Sequence, residues 1–378
     1  MAKNATGTPA RILFLGNEYA GHKTRFANLR ASVEQDGRIS AQFERITGWR
    51  EGGTIERLPL LPGGVKGRLR ATVEAAPYAA LPRPDAVWTS AREELAPFSW
   101  VQLARWRRPT VVDLDATDAQ LESMAPWYGG RPPKRGVRRL IAREQERLAW
   151  HGVSVFTPWS HWAAEGLRAE GIASERIRVI PPGVDLDAWR PAGKPRPTPS
   201  EPLRILFVGG DFERKGGGLL LEMMASELGQ SFSLDVVTTA PVEPRKGVRV
   251  HRAGPNSPEL RALFATADLF VLPAFAECFG IAAVEAMASG LPVIMSDVGG
   301  ARDIVRPGCT GWLIEPTAGG LASALRAIAE APDVLRSMGA AGRRVAEERF
   351  DGRRNDAAVI DLLLDLHERH LAANGRSG

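Results

Sequence analysis

Arg11-Ile-Leu-Phe-Leu-Gly16 and Arg204-Ile-Leu-Phe-Val-Gly-Gly210 open the two halves of the chain in nearly the same way. Each is a short apolar run without polar alternation. Such a run reads as a parallel strand, buried on both faces and ending in a glycine turn. Between the halves lies Pro191-Ala-Gly-Lys-Pro-Arg-Pro-Thr-Pro-Ser200, whose prolines bar helix and central strand and mark a linker. Further buried strands are expected at 86–89, 109–114, 153–157 and 177–180 in the first half. In the second half they are expected at 233–238, 248–251, 268–272 and 292–295. Helical patterns intervene at 135–150, 160–170, 258–266 and 279–289, and an amphipathic stretch over 355–372 ends the chain. This alternation predicts two doubly wound parallel sheets. Ligands of such sheets sit at the carboxyl ends of the strands, often in the cleft between domains.

Composition narrows the function. A chain of 378 residues suits two domains. Cys278 and Cys309 are the only cysteines, too few for a disulfide framework and without metal-ligand spacing. The expectation is a reducing, cytoplasmic compartment. The most apolar stretch, 264–300, is broken by Asp268, Glu277, Glu285 and Asp297, so no spanning helix of ~18 apolar residues is expected. The Arg11–Gly16 run is too short for a secretory leader. The net charge of +5 hides an asymmetry: residues 1–200 carry 30 Lys+Arg against 21 Asp+Glu, and the remainder 19 against 23. Nine of the ten tryptophans also lie in the first half. A basic, Trp-rich half can approach an acidic acceptor or the inner face of an anionic membrane. The same arginines can equally well just solvate helix faces.

The chemistry concentrates in Leu272-Pro-Ala-Phe-Ala-Glu-Cys-Phe-Gly-Ile-Ala-Ala-Val-Glu-Ala-Met-Ala-Ser-Gly290. A strand ends at Leu272, a turn carries Glu277, and a helix begins near Phe279, Gly280 and Ile281. Its first amides and its dipole suit a phosphate. Glu285 stands inside that helix among small apolar residues, where a carboxylate is costly unless something hydrogen-bonds it. It lies roughly 7 Å along the axis from Gly280, about the reach of a ribose whose phosphates rest on the helix terminus. Glu277 would then face the sugar. In Phe207-Val-Gly-Gly-Asp-Phe-Glu-Arg-Lys-Gly-Gly-Gly218, Gly209 and Gly210 let a ligand approach the backbone, and Arg214 and Lys215 can neutralise a diphosphate. A third turn, Asp297-Val-Gly-Gly-Ala301, offers Gly299 to phosphate or sugar.

These residues resemble the retaining nucleotide-sugar glycosyltransferases of family 4. The Glu-x7-Glu element matches as Glu277 and Glu285, and the Lys-Gly pair as Lys215-Gly216. Pro292-Val-Ile-Met-Ser-Asp-Val-Gly-Gly300, Gly308-Cys-Thr-Gly-Trp-Leu313, Thr157-Pro-Trp-Ser160 and Val179-Ile-Pro-Pro-Gly-Val-Asp185 match in order, over roughly residues 140–350. The resemblance implies the GT-B fold, two Rossmann-like domains facing across a cleft. Residues 1–190 would bind the acceptor, 201–350 the donor, and 351–378 would return to the first domain. It also implies a UDP- or GDP-linked hexose donor and no further cofactor, and no nucleic-acid partner is expected. The donor half shows no cluster of carboxylates placed to hold a cation on the phosphates, so no metal is expected. The hydroxyl acceptor would be a lipid, glycan or small molecule. Configuration would be retained, with the leaving diphosphate taking the acceptor proton. Two departures stand out. Where family members often have Arg after the first glycine of the donor loop, this chain has Gly210, and Arg214 is expected to supply the charge. Where they often carry an acceptor-domain His, Val111-Val-Asp-Leu-Asp-Ala-Thr117 offers Asp113 or Asp115. The expected catalytic set is Lys215, Glu277, Arg214 and Asp115.

Two other readings compete. Gly16-Asn-Glu-Tyr-Ala-Gly-His-Lys-Thr24 nearly spells a P-loop, but His22 displaces the lysine from its place after the second glycine. That leaves an ATP-dependent kinase or NTPase as one alternative, and a non-catalytic sugar-nucleotide-binding protein as the other.

Overall fold

The computed structural model describes residues 9–16, 20–47, 49–59, 61, 65–67, 69–71, 73–74, 84–90, 108–128, 136, 144, 147, 150–191, 202–243 and 245–375. Two all-parallel sheets organise them. The first runs β2-β1-β3-β4-β5, with β1 (Ala10–Gly16), β2 (Ile39–Arg45), β3 (Ala86–Thr89), β4 (Thr110–Leu114) and β5 (Val155–Pro158). The second runs β11-β10-β9-β6-β7-β8. Its members are β6 (Leu203–Val208), β7 (Phe232–Val237), β8 (Val248–His251), β9 (Leu269–Leu272), β10 (Val293–Ser296) and β11 (Gly311–Ile314). The central strands β3, β4, β9 and β10 are buried along their whole length, as apolar runs between helical layers must be. Strand order reverses between β1 and β3 and again between β6 and β9, so each sheet has one crevice beyond its strand ends.

Most expected elements fall within one or two residues of their places. The stretch 177–180 does not form a strand. It follows β5 through Arg178 N–H to Phe156 O and Ile180 N–H to Pro158 O, yet pairs only at the Phe156–Ile177 bridge. Pro158 has no N–H to return, so the ladder cannot propagate. Two strands went unread, β2 and β11. Of the expected helix at 135–150 only residues 136, 144, 147 and 150 are described, and each is helical; the rest of it, and residues 192–200 of the linker, lie outside the described residues. Among the described residues no helix is long and apolar enough to cross a membrane.

The C-terminal helix, Gly352–Gly375, lies on the first sheet. Val359, Ile360, Leu363 and Leu364 join Ile12, Phe14, Trp88 and Val111 in one buried cluster. The chain crosses between the halves twice, and the crossings are paired: Val184 N–H bonds Phe350 O and Gly352 N–H bonds Val184 O, each at 2.9 Å. A β-carbon on Gly183 would stand 2.4 Å from the Gly352 α-carbon, so the crossing closes only with glycine there. Arg343 clamps the same region by bonding Trp189 O and Ala288 O, both at 2.6 Å.

A buried charge group fastens the returning helix. Arg25, Asp113 and Asp356 are each at most 1% exposed. Arg25 Nη1 bonds Asp356 Oδ1, Arg25 Nε lies 3.5 Å from Asp113 Oδ2, and Ser32 donates to Asp356 at 2.7 Å. Burial alone would lower the Arg25 pKa, but the two carboxylates hold it above its ordinary value. Removing one partner strands the other charges in an apolar core. Asp356→Ala is therefore expected to cost about 3–5 kcal/mol in urea unfolding followed by circular dichroism. A loss under about 1 kcal/mol would reduce the group to a surface-like pair.

Candidate active site

The Ile281–Ala288 helix builds the centre of the site. Alanines 282, 283, 286 and 288 favour helix, and Gly290, at φ 75°, ends it in a Schellman turn: Leu291 N–H bonds Ala286 O and Gly290 N–H bonds Met287 O. At the other end Gly280 is left-handed, φ 98°, and offers no side-chain cap. The first-turn amides are thereby left to a ligand. The Gly217–Met224 helix starts in the same manner after left-handed Gly216. Both termini stand at the β6/β9 switch point.

Two glycines hold the loop between β9 and the helix. A β-carbon on Gly216 would lie 2.0 Å from Pro273 O, and one on Gly299 would lie 1.9 Å from Glu277 O. Gly300 N–H bonds Cys278 O at 2.9 Å. The 299–300 turn therefore backs the Glu277 segment. Gly209 lies beneath Lys215, whose Cδ would be 2.7 Å from an added β-carbon. Gly210 has nothing nearer than Thr239 Oγ1 at 3.8 Å, so the place of the family arginine is open.

Lys215 Nζ stands 3.2 Å from Glu277 Oε2, off the line of a hydrogen bond, and that buried oxygen has no donor aimed at it among the described residues. Glu285 is 5% exposed, and no described residue donates a hydrogen bond to its carboxylate, which Lys215 reaches only through its charge. Burial pushes its pKa up to about 8, against the pull of Lys215. Arg214 Nη1 lies 3.9 Å from Glu277 Oε2. The arginine side chain is 8% exposed, and its N–H groups go to Ala276 O at 2.7 Å, the Tyr128 hydroxyl at 3.0 Å and Asp211 Oδ2 at 3.0 Å.

The first half supplies the facing wall. Trp159 lies edge-on to Phe279 at 5.9 Å between centroids, and His22 packs on Trp159 at 4.7 Å. A β-carbon on Gly21 would be 3.6 Å from Ile281 Cδ1. His22 Nε2 is 3.3 Å from Asp115 Oδ1, while His22 Nδ1 is buried without a partner among the described residues. Asp113 turns the other way, accepting from Trp159 Nε1 at 2.6 Å and Thr157 Oγ1 at 2.9 Å. Asp115 is thus the carboxylate on the cleft and Asp113 the structural one. Tyr128, Trp127 and Trp159 were not picked out from the sequence as site residues; the crowding of tryptophan into the first half was the one signal.

Two doubly wound sheets whose strand-end loops meet across a cleft define a GT-B glycosyltransferase. Residues 202–331 match the family described as Glycosyl transferases group 1, and residues 12–183 match the Glycosyl transferase 4-like domain. The chain belongs to the family 4 glycosyltransferases, and the NTPase and non-catalytic readings fall. It is similar to the D-inositol 3-phosphate glycosyltransferase of Arthrobacter, 30% identical over 301 residues, 71% of this chain and 69% of that one. The enzyme of the same name from Nocardia farcinica is 31% identical over 288 residues; there the match covers 64% of this chain and 58% of the relative. Among solved structures, sucrose-phosphate synthase of Thermosynechococcus elongatus superposes with a TM-score of 0.73 at 20% identity, covering 97% of this chain and 100% of that one. HepE of Anabaena, solved with UDP-glucose, gives 0.64 at 17% identity over 93% and 99%.

The Glu285 environment has a signed consequence. A folded-state pKa raised from 4.5 to about 8 adds stability below pH 4.5, which is lost as pH rises through 8. Glu285→Gln stays neutral, so the ligand-free variant is expected to gain melting temperature over wild type at pH 8–9 and to lose that advantage near pH 5. Parallel melting curves across this range would show an ionised, solvated Glu285.

Proposed function

We propose that this glycosyltransferase moves a hexose from a UDP- or GDP-linked donor to a hydroxyl acceptor with retention of configuration. The donor lies on the second half and the acceptor in the β1/β3 crevice of the first. The observation that carries the reading is Glu285: a buried carboxylate to which no described residue donates a hydrogen bond, one turn behind an uncapped helix terminus. Diphosphate on the Gly280 amides puts a ribose beside it, and two ribose hydroxyls are the donors it lacks. Lys215 then stands at the diphosphate and Glu277 at the sugar end. Asp115, paired with His22, takes the cleft position where family members often have an acceptor-domain His. The retained configuration and the transfer of the acceptor proton to the leaving diphosphate rest on the family resemblance.

The bound ribose favours ionised Glu285, so donor affinity should weaken by up to about tenfold for each pH unit below 8. Glu285→Ala should weaken it by roughly 10–150-fold and remove the pH dependence. Calorimetric titration with the sugar nucleotide that raises the melting temperature most, chosen from UDP-, GDP- and ADP-sugars, measures both. Wild-type affinity in the variant would take Glu285 out of the site.

Negative charge grows on the diphosphate as the glycosidic bond breaks, so Lys215 and the two helix termini act most strongly in the transition state. Lys215→Ala should lower kcat by roughly 10²–10³. Wild-type turnover should persist in excess EDTA. Activity lost in EDTA and restored by magnesium, with an active Lys215→Ala enzyme, would replace this mechanism with a metal-assisted one.

A further inference from the structure

The turn Met124–Tyr128 leaves the first half after the Asp118–Ser123 helix and reaches the donor loops of the second. Trp127 lies flat on Phe275, centroids 4.4 Å apart and planes within 5°. The Arg214 guanidinium lies over the Tyr128 ring at 4.7 Å and donates to its hydroxyl at 3.0 Å. The Cys278 thiol donates to the same hydroxyl at 3.5 Å. Burial, with Glu277 nearby, raises the hydroxyl's pKa, so it stays a neutral phenol.

Arg214 is the centre of these contacts. It ties Asp211 of the first donor loop to Ala276 of the second, and its Nη1 lies 3.9 Å from Glu277 Oε2. Its Nε and Nη1 are thus committed to protein groups, and only Nη2 bonds no described residue. Arg214 fixes the distance between the loop that carries Lys215 and the loop that carries Glu277, and Tyr128 fixes the guanidinium.

We propose that Tyr128, seated by the Trp127–Phe275 stack, is a positioning residue for the donor chemistry. It acts through Arg214 to hold Glu277 against Lys215, so the donor site is completed by a side chain of the acceptor half. The assignment of Lys215 and Glu277 to the donor rests on the proposed function; the strap itself does not. Opening the cleft must part Trp127 from Phe275 and Tyr128 from Arg214. Each opening therefore loosens Glu277 and Lys215, and closure restores them.

Cys278 reports on the strap without any sugar nucleotide. It is 2% exposed, under the Tyr128 hydroxyl, whereas Cys309 is exposed. In a Cys309→Ser background, the rate of Cys278 labelling by a thiol-reactive disulfide measures how often the strap lifts. Trp127→Ala and Tyr128→Ala should speed labelling roughly tenfold or more, since each removes a contact of the strap. Tyr128→Phe keeps the ring under Arg214 and should fall between them and the background protein. In turnover of the sugar nucleotide selected by thermal shift, Tyr128→Ala should lower kcat at least about tenfold while KM changes less, with partial rescue in Tyr128→Phe. Unchanged labelling in both alanine variants would overturn the strap. Faster labelling with wild-type kcat would overturn the positioning role. If no sugar nucleotide shifts the melting temperature, the donor reading fails while labelling still decides on the strap.

Discussion

Arg25 carries a charge where water does not reach, and the carboxylates of Asp113 and Asp356 make that position tolerable. The rest of the molecule hangs from this arrangement. Asp356 brings the C-terminal helix onto the first sheet. Asp113 also receives the indole N–H of Trp159, and Trp159 carries His22 on one side and meets Phe279 on the other. Two further contacts thus connect a buried ion group to Phe279, two residues ahead of the Ile281–Ala288 helix. The two crossings between the halves are paired with each other at Val184 and Gly352.

The donor crevice holds Lys215 and Arg214 beside Glu277 and Glu285. Arg214 is spent on protein groups, and Lys215 answers to two carboxylates at once. The empty site is therefore close to balanced in charge, and part of that balance is reached by Glu285 keeping its proton near neutrality. In the proposed function a diphosphate adds negative charge there, facing Lys215 and the open helix termini. The recognition elements are complementary in sequence along one helix: amides first, carboxylate a turn later.

Most of the fold was legible because the buried strands are uniform apolar runs. The strands that escaped were of another kind. In β2, Ile39, Ala41 and Phe43 alternate with Ser40, Gln42 and Glu44 at the edge of the sheet, and β11 is a four-residue edge strand that overlaps the Gly308–Leu313 motif and is too short to stand out as an apolar run. Glu285 could be read from local sequence, since a lone charge among alanines in a buried helix is anomalous wherever it occurs. Arg214 could not, because the fate of its N–H groups is settled by Tyr128, 86 residues away in the chain. Asp113 and Asp115 looked interchangeable. What separates them is that Asp113 is still within β4 and points at Arg25, whereas Asp115 lies past the strand end and meets His22.

The returning helix also bears on how the protein is made. Residues 202–350 complete their own sheet and core as soon as they have been synthesised. The first sheet, although translated earlier, still lacks Val359, Ile360, Leu363 and Leu364 at that moment, and Arg25 still lacks Asp356. The half that leaves the ribosome first is thus the last to finish. During that interval it holds an open apolar face and an incompletely paired charge, the condition in which chains aggregate or recruit a chaperone.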